Sequence, residues 1–409
     1  DLLVVGRFGS TSGLSGVSTG SQVLNLVTFV VTQLAMGITV LIARYLGEKR
    51  EDQIGSIIGG GTVVFAAISL VLFVIMVGFA RPIAVLMQAP EEAVGLTVAY
   101  IRICGAGIFF IVAYNVLSAI FRGLGDSNSP LLFVFVACIV NVVGDLVLVA
   151  GLGMDAMGAA LATVFAQALS VVFAIVRLVK KGLPFTITGY DFRWNPQCGK
   201  FLQIGLPLAL QECLTQGSFL ALCAFVNRLG LEASSGYGVA CKIVNFAMLI
   251  PSALMQSTSS FVSQNVGAGE QKRAKKTMFT GIGIGLLVGC FAFSLVFFRG
   301  DLLAGIFSAD AAVVQRGYEY LKGFAPETLL TAVLFSMMGY FNGNGKTVWV
   351  MLQGLIQTLL VRLPFAYYMS IQPDASLTNI GLAAPISTAV GIVLNVAFFL
   401  YLEHAAKRS

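Results

Sequence analysis

Two polar side chains lie four residues apart inside an otherwise apolar stretch of the first half of the chain. Asn141 and Asp145 both fall within the run from Leu131 to Ala150. If this run is a helix, a spacing of four places them on one face. An ionised Asp at the centre of a membrane helix costs about 2.5 to 3.5 kcal/mol on insertion scales, so such residues usually face a cavity and bind protons or ions. We therefore predict a binding function for this pair; the alternative is that the two residues only tie helices together.

Two more oxygen-bearing residues are expected at the depth of Asp145. The chain turns back near Met154, and Thr163 lies nine residues beyond that turn while Asp145 lies nine residues before it. At 1.5 Å per residue, both lie roughly 13 Å below the outer turn. Asp1, eight residues before Gly9, lies about 12 Å below its own outer turn.

The predicted cation- or proton-binding set is therefore Asp1, Asn141, Asp145 and Thr163. Two carboxylates, an amide and a hydroxyl suit a hard cation such as Na⁺. They suit a proton equally well. When two carboxylic acids lie close together in a low dielectric, ionisation of both at once is unfavourable, so one of them favours holding a proton. No other metal ion is predicted. The alternative of a purely structural role is stronger for Asp1 than for Asn141 and Asp145, because the chain start leaves its helix incomplete.

The second half of the chain has different polar residues near the middle of its apolar runs. The place that matches Asn141 and Asp145 has no Asn-x-x-x-Asp spacing. Instead, four charged residues are candidates for lining a substrate cavity: Glu212, Lys242, Glu327 and Arg362. The alternative is that they form structural ion pairs or extend toward the membrane surface.

No pattern typical of an enzyme accompanies these residues. His404 is the only histidine and follows the last apolar run, and no Walker A, HExxH or GxSxG motif has supporting context. The seven cysteines are scattered without a CxxC or metal-like spacing, which favours small buried apolar side chains over disulfides. We predict that the chain is not an enzyme, has no catalytic residues and uses no cofactor.

The elements that must position these residues are membrane helices. Of the 409 residues, 57% are hydrophobic and only 11% are charged, whereas soluble domains have roughly 25% charged residues. Apolar runs of about 20 residues are long enough to cross a hydrocarbon core as helices. Eleven are predicted, near 14–42, 53–79, 93–121, 129–151, 156–180, 200–228, 234–264, 277–298, 311–342, 347–371 and 378–402. The chain begins inside an apolar run, so we expect an all-α integral membrane protein with twelve spans, the first of them truncated.

Positive charge is distributed unequally between the predicted loops. If the helices alternate in direction, four Lys or Arg residues lie on one side and sixteen on the other. The sixteen are Arg44, Lys49, Arg50, Arg122, Arg177, Lys180, Lys181, Arg193, Lys200, Lys272, Arg273, Lys275, Lys276, Lys346, Lys407 and Arg408. This asymmetry identifies their side as cytoplasmic. We expect a multi-pass protein of the inner (plasma) membrane with both termini of the full-length protein in the cytoplasm, and the net charge of +6 does not indicate a nucleic-acid partner.

The chain is built from one unit used twice. The segment Phe121–Gly125 recurs 220 residues later as Phe341–Gly345, and the same offset carries Tyr100 onto Tyr320. Matched positions fall on the same predicted side, which favours a parallel repeat. The predicted organisation is an N-terminal lobe of helices 1 to 6 (1–180), a cytoplasmic linker (181–199) and a C-terminal lobe of helices 7 to 12 (200–409).

Three short segments, in this order, resemble one transporter family. They are Asp1 followed by Gly6–Gly9, then Gly205–Pro207, and then Ser263–Gly269. Together with the two lobes and the Asn141-to-Asp145 spacing, they are similar to the multidrug and toxic compound extrusion (MATE) transporters, over nearly the whole chain.

The resemblance implies a V-shaped pair of lobes and alternating access. It also implies that the protein, embedded in the lipid bilayer, exports small organic, often cationic, compounds, driven by inward movement of Na⁺ or H⁺ as the coupling ion. Related bacterial members hold that ion on an Asp of the first helix, an Asn and an Asp of the fifth and a Thr of the sixth. Asp1, Asn141, Asp145 and Thr163 match these positions. A monomer is expected.

Two other functions were weighed against multidrug antiport. A flippase for lipid-linked sugar precursors, from the same superfamily, would favour several arginines in its cavity, whereas Arg362 is the main mid-span candidate. A membrane-embedded enzyme or a passive channel is disfavoured because no catalytic constellation is present.

Overall fold

The computed structural model describes residues 1–180, 188–308 and 310–406, and these ranges contain helices and turns but no strand. Helices pair every backbone N–H and C=O within their own segment, as the hydrocarbon core of a bilayer requires. The predicted all-α membrane fold is confirmed.

Contacts between Cα atoms divide the chain into two compact units, Asp1–Ala209 and Leu210–Ser409. The first unit contains α1 (Leu2–Phe8), α2 (Thr11–Gly47), α3 (Ile54–Phe73), α4 (Ala80–Leu86), α5 (Glu91–Ala106), α6 (Ile108–Gly123), α7 (Asn128–Asp145) and α8 (Asp155–Lys180). Helix α9 (Pro196–Asn227) crosses the boundary between the units. The second unit continues with α10 (Leu231–Gly267), α11 (Gln271–Gly305), α12 (Ala311–Phe324), α13 (Glu327–Gly343), α14 (Thr347–Leu355), α15 (Leu363–Ser370), α16 (Leu377–Gly381) and α17 (Ala383–Ala406).

Eleven segments that follow α1 in the described residues are long and apolar enough to be candidate membrane spans, if each bent helix pair is taken as one, and they correspond to the eleven predicted ones. Nine are single helical segments, and two are helix pairs that bend by 54° between α5 and α6 and by 47° between α12 and α13. The sequence predicted one helix for each pair, over 93–121 and 311–342. The structure corrects this, because Gly107 interrupts the first helix and Pro326, which lacks an N–H donor, precedes the start of α13.

The two units repeat the same local features. Gly125 and Gly345 both have positive φ angles, 78° and 75°, at turns that a glycine adopts without strain. Tyr100 and Tyr320 are both buried. A π-helical turn follows α7 at Leu146–Gly151, and another follows α14 at Ile356–Arg362. The glycines and tyrosines matched by the 220-residue repeat therefore share local structure, while the first residues of the two π-helical turns, 146 and 356, are 210 residues apart.

The described end of the predicted linker packs on the first unit. Residues 181–187 of the predicted linker lie outside the described residues. Beyond them, Asp191 accepts hydrogen bonds from the Thr188 backbone N–H (2.8 Å) and the Ser56 hydroxyl (2.8 Å). The Thr188 backbone N–H, together with the hydroxyls of Ser56 and Thr188, holds the pKa of Asp191 below its usual range. Asn195 also donates to the Ser56 carbonyl oxygen at 2.9 Å, so this segment is fastened to the start of α3.

Candidate cation-binding site

Helices α7 and α8 bring Asp145 and Thr163 together through a contact between two small residues. A Cβ added at Gly144 would lie 2.9 Å from the Ala162 Cβ, so the two helices approach more closely than larger residues allow. Asp145 and Thr163 each directly follow one member of this contact. The close contact therefore fixes both residues at the same level of the hairpin.

Hydrogen bonds connect Asp1, Asn141 and Thr163. The Thr163 hydroxyl donates to Asp1 Oδ2 at 2.9 Å, and the Asn141 Nδ2 donates to the Thr163 Oγ1 at 3.2 Å. Asp145 Oδ2 lies 2.9 Å from the main-chain nitrogen of Asp1. The structure thus brings together all four residues proposed for the site, from the start of α1 and from α7 and α8.

Asp145 is the most deeply buried member of this cluster. Its exposed fraction is 0%, and its Oδ1 accepts no hydrogen bond from any described residue. A buried carboxylate without enough donors is costly unless a proton or a cation neutralises it. The π-helical turn Leu146–Gly151 begins at the next residue, and such turns are frequent at functional sites. The cluster therefore has the chemistry of a Na⁺ or proton site.

Tyr100 is a site residue that the sequence reasoning did not identify. It lies on α5, and its hydroxyl is 3.5 Å from Asp1 Oδ2, at the long limit of a hydrogen bond. In the sequence, Tyr100 is distinguished only by its match with Tyr320 in the repeat, and such a match indicates shared packing rather than chemistry.

In the second unit, two of the four proposed cavity residues lie together. Arg362 Nη2 is 4.0 Å from Glu327 Oε1, and both side chains are buried. Thr388 donates to Glu327 Oε1 at 2.8 Å, while the Arg362 Nε donates to the Ser387 hydroxyl at 3.2 Å. Glu327 Oε2 has no hydrogen-bond partner among the described residues. Ser387 and Thr388 were not anticipated, because serine and threonine are common in membrane helices.

The other two proposed cavity residues do not join this pair. Glu212 Oε1 accepts a hydrogen bond from Gln216 Nε2, one turn along α9, at 2.7 Å. Lys242 is exposed, and its Nζ lies 5.5 Å from the centroid of the Phe307 ring. Among the described residues of the second unit, Glu327 and Arg362 thus form a buried pair of opposite charges.

Comparison with known proteins supports this reading of the fold. The family model described as MatE matches residues 1–147 and 207–368, which include Asp1, Asn141, Asp145, Glu327 and Arg362. The chain belongs to the MatE family. MatE membership makes it a membrane transporter of small molecules that needs no cofactor, and not an enzyme.

Two curated MatE relatives match most of the chain. The Probable multidrug resistance protein YpnP of Bacillus subtilis (strain 168) is 24% identical over 371 residues, which cover 90% of this chain and 83% of that protein. The Multidrug export protein MepA of Staphylococcus aureus (strain NCTC 8325 / PS 47) is 25% identical over 368 residues, which cover 87% of this chain and 80% of that protein.

A solved MatE structure shows the same fold. It is described as the outward-facing conformation of a multidrug resistance MATE family transporter of the MOP superfamily, and it superposes with a TM-score of 0.94 at 20% identity. The superposition covers 100% of this chain and 91% of that one.

Proposed function

We propose that this MatE protein exports several kinds of organic compound, mainly cationic ones, by antiport with Na⁺ or H⁺ through alternating access. The observation that carries the proposal is Asp145, a wholly buried carboxylate whose Oδ1 accepts no hydrogen bond from a described residue. Asp1, Asn141 and Thr163 supply further oxygens around it. These ligands suit Na⁺ or a proton.

In this mechanism, occupancy at Asp145 biases the arrangement of the helices that surround it. Binding of one Na⁺ or proton lowers the negative charge of the site by one unit, so the occupied and unoccupied forms favour different packings of α1 against α7 and α8. An organic compound that binds one of these packings more tightly is then coupled to the cation, and the coupling is reciprocal. The cation gradient in this way drives export.

The second unit is proposed to contact the substrate. Glu327 has one oxygen without a described partner, and its separation from Arg362, 4.0 Å, is at the limit of an ion pair. An organic cation can therefore compete with Arg362 for the carboxylate of Glu327. Glu212 and Lys242 remain proposals for the cavity on sequence grounds alone. Both curated relatives carry multidrug names, which supports a broad substrate range.

We further propose a location in the plasma membrane and both termini of the full-length protein in the cytoplasm. The excess of Lys and Arg in one set of loops supports this orientation. We also propose that the protein is a monomer and that its two lobes, at 1–180 and 200–409, are joined by the linker 181–199.

Everted membrane vesicles that contain the full chain test this function. A fluorescent organic cation is offered while Na⁺ and H⁺ gradients are imposed separately. Accumulation should follow one of the two gradients and collapse when an ionophore dissipates it. Accumulation that ignores both gradients contradicts the proposal, and gradient-independent movement of a labelled lipid would point instead to a flippase.

A further inference from the structure

The outer ends of α2 and α8 are joined by a contact that lies outside the cation cluster. The Asp155 carboxylate accepts hydrogen bonds from the Ser10 backbone N–H, at 3.3 Å, and from the Ser10 hydroxyl. The Ser10 Oγ in turn accepts from the Gly13 backbone N–H at 2.9 Å, which caps the start of α2. We call Ser10 and Asp155, with Gly9 and Gly13 around them, the outer latch.

Two glycines create the space that the Asp155 carboxylate fills. A Cβ added at Gly13 would overlap both carboxylate oxygens, and a Cβ at Gly9 would also meet the carboxylate. Any larger residue at position 13 must displace Asp155. The carboxylate therefore fills the space that the two glycines leave, in a contact that lies at the surface, where Ser10 is exposed.

The backbone at Asp155 is also specialised. Its φ angle is 53°, in the left-handed region that Asp and Asn enter more readily than most other residues. Asp155 is the first residue of α8. This position thus requires both an acceptor for Ser10 and a residue that tolerates the left-handed backbone.

The outer latch and the cation cluster both join the segment from Asp1 to Ser10 to α8, at two levels. On α8, Asp155 precedes Thr163 by eight residues, about 12 Å of helix. In the segment that faces α8, Ser10 follows Asp1 by nine residues. Helix α1 therefore runs antiparallel to α8, held at the outer end by Ser10 and Asp155 and at the inner level by Asp1 and Thr163.

We propose that Asp155 is a positioning residue, which holds α1 at the depth where the Asp1 carboxylate meets Thr163. This inference rests on the proposed function, because it assigns Asp155 an effect on the cation cluster. Without the outer latch, α1 can slide or tilt against α8, and Asp1 spends less time at the cluster. Cation affinity falls directly, whereas the affinity for organic compounds changes only through its coupling to the cation, and therefore by a smaller factor.

The test uses the full chain in proteoliposomes and two separate readouts. The first is the cation concentration that gives half-maximal transport, and the second is the affinity for a fluorescent organic cation measured without a gradient. Gly13→Ala should displace the carboxylate, and Asp155→Gly removes it while keeping the left-handed backbone unstrained. Gly95→Ala is the matched control, because a Cβ there meets nothing within 4 Å.

Gly13→Ala and Asp155→Gly should each raise the half-saturating cation concentration about tenfold, the lower end of the effect of losing one hydrogen bond to a charged group. Asp155→Asn keeps an acceptor and should recover most of that loss. The affinity for the organic cation, measured without the coupling cation, should change by a much smaller factor in all variants. If Gly13 is intolerant of substitution, the comparison of Asp155→Gly with Asp155→Asn decides alone.

The inference is wrong if Asp155→Gly behaves like Gly95→Ala, or if cation and substrate affinities fall together as in a general loss of structure. The variant Asp145→Asn distinguishes failure of the inference about Asp155 from failure of the proposed function. If Asp145→Asn keeps wild-type cation-driven transport, the coupling proposal itself is wrong. If it abolishes that transport while the latch variants behave as wild type, only the inference about Asp155 fails.

Discussion

Replacing Thr163 with valine tests the hydrogen bonds that hold the cation cluster together. Valine has nearly the shape of threonine, so Thr163→Val removes the hydroxyl without opening a cavity between α7 and α8. Two contacts disappear: the hydrogen bond to Asp1 Oδ2 at 2.9 Å and the one from Asn141 Nδ2 at 3.2 Å.

The magnitude follows from the types of hydrogen bond that are lost. A bond to a charged group contributes about 1.5 to 3 kcal/mol and a neutral one about 0.5 to 1.5 kcal/mol. The Asp1 side chain is 19% exposed, so water can replace part of the loss, and we take the lower end, about 2 kcal/mol. That value corresponds to an increase of about thirtyfold in the half-saturating cation concentration.

The assay is transport of a fluorescent organic cation into proteoliposomes at varied cation concentration, at a saturating concentration of the organic compound. Thr163→Ser, which keeps the hydroxyl, should stay close to wild type. Thr62→Val is the matched control, because the Thr62 hydroxyl donates only within its own helix, to the Ile58 carbonyl oxygen at 2.8 Å. Equal cation dependence in Thr163→Val and Thr62→Val would refute the role given to Thr163.

Three further predictions concern other contacts. Tyr100→Phe should raise the half-saturating cation concentration less than about threefold, since its contact with Asp1 is 3.5 Å long; an effect as large as that of Thr163→Val would contradict this ranking. Glu327→Gln should lower the free energy of unfolding by about 3 kcal/mol, because it leaves the buried Arg362 without its carboxylate. Glu327→Gln combined with Arg362→Met should recover most of that loss. Thermal unfolding in detergent measures the stability of both variants, and an equal loss in the double variant would contradict the pairing. Asp191→Ala should speed trypsin cleavage after Arg193, because the linker segment loses its hydrogen bonds to Thr188 and Ser56. Asp52→Ala is the control. Equal cleavage rates in the two variants would show that Asp191 does not hold the segment.

Some features of the fold and of the candidate site could be predicted because helices are regular. A constant rise per residue and a visible turn near Met154 suffice to place Asp145 and Thr163 at one depth, and apolar length suffices to locate the eleven spans. The cost of an intramembrane carboxylate draws attention to Asp145 without any structure.

The features that could not be predicted depend on tertiary packing. Neither the bend at Gly107 nor the π-helical turn after Asp145 has a local pattern that distinguishes it from an ordinary helical stretch. Tyr100 reaches Asp1 only because α5 packs beside α8, and Thr388 reaches Glu327 across 61 residues of sequence. Spacing along one helix cannot indicate which residue of another helix will face it.

Uphill transport by Asp145→Asn tests whether Asp145 couples cation movement to export. Purified protein in proteoliposomes is given a Na⁺ or H⁺ gradient, and accumulation of a fluorescent organic cation is compared with its exchange at equal concentrations on both sides. We predict that Asp145→Asn abolishes gradient-driven accumulation, because the buried position can no longer change its charge, while exchange continues. Accumulation by Asp145→Asn at the wild-type rate would contradict the account and place coupling elsewhere in the chain.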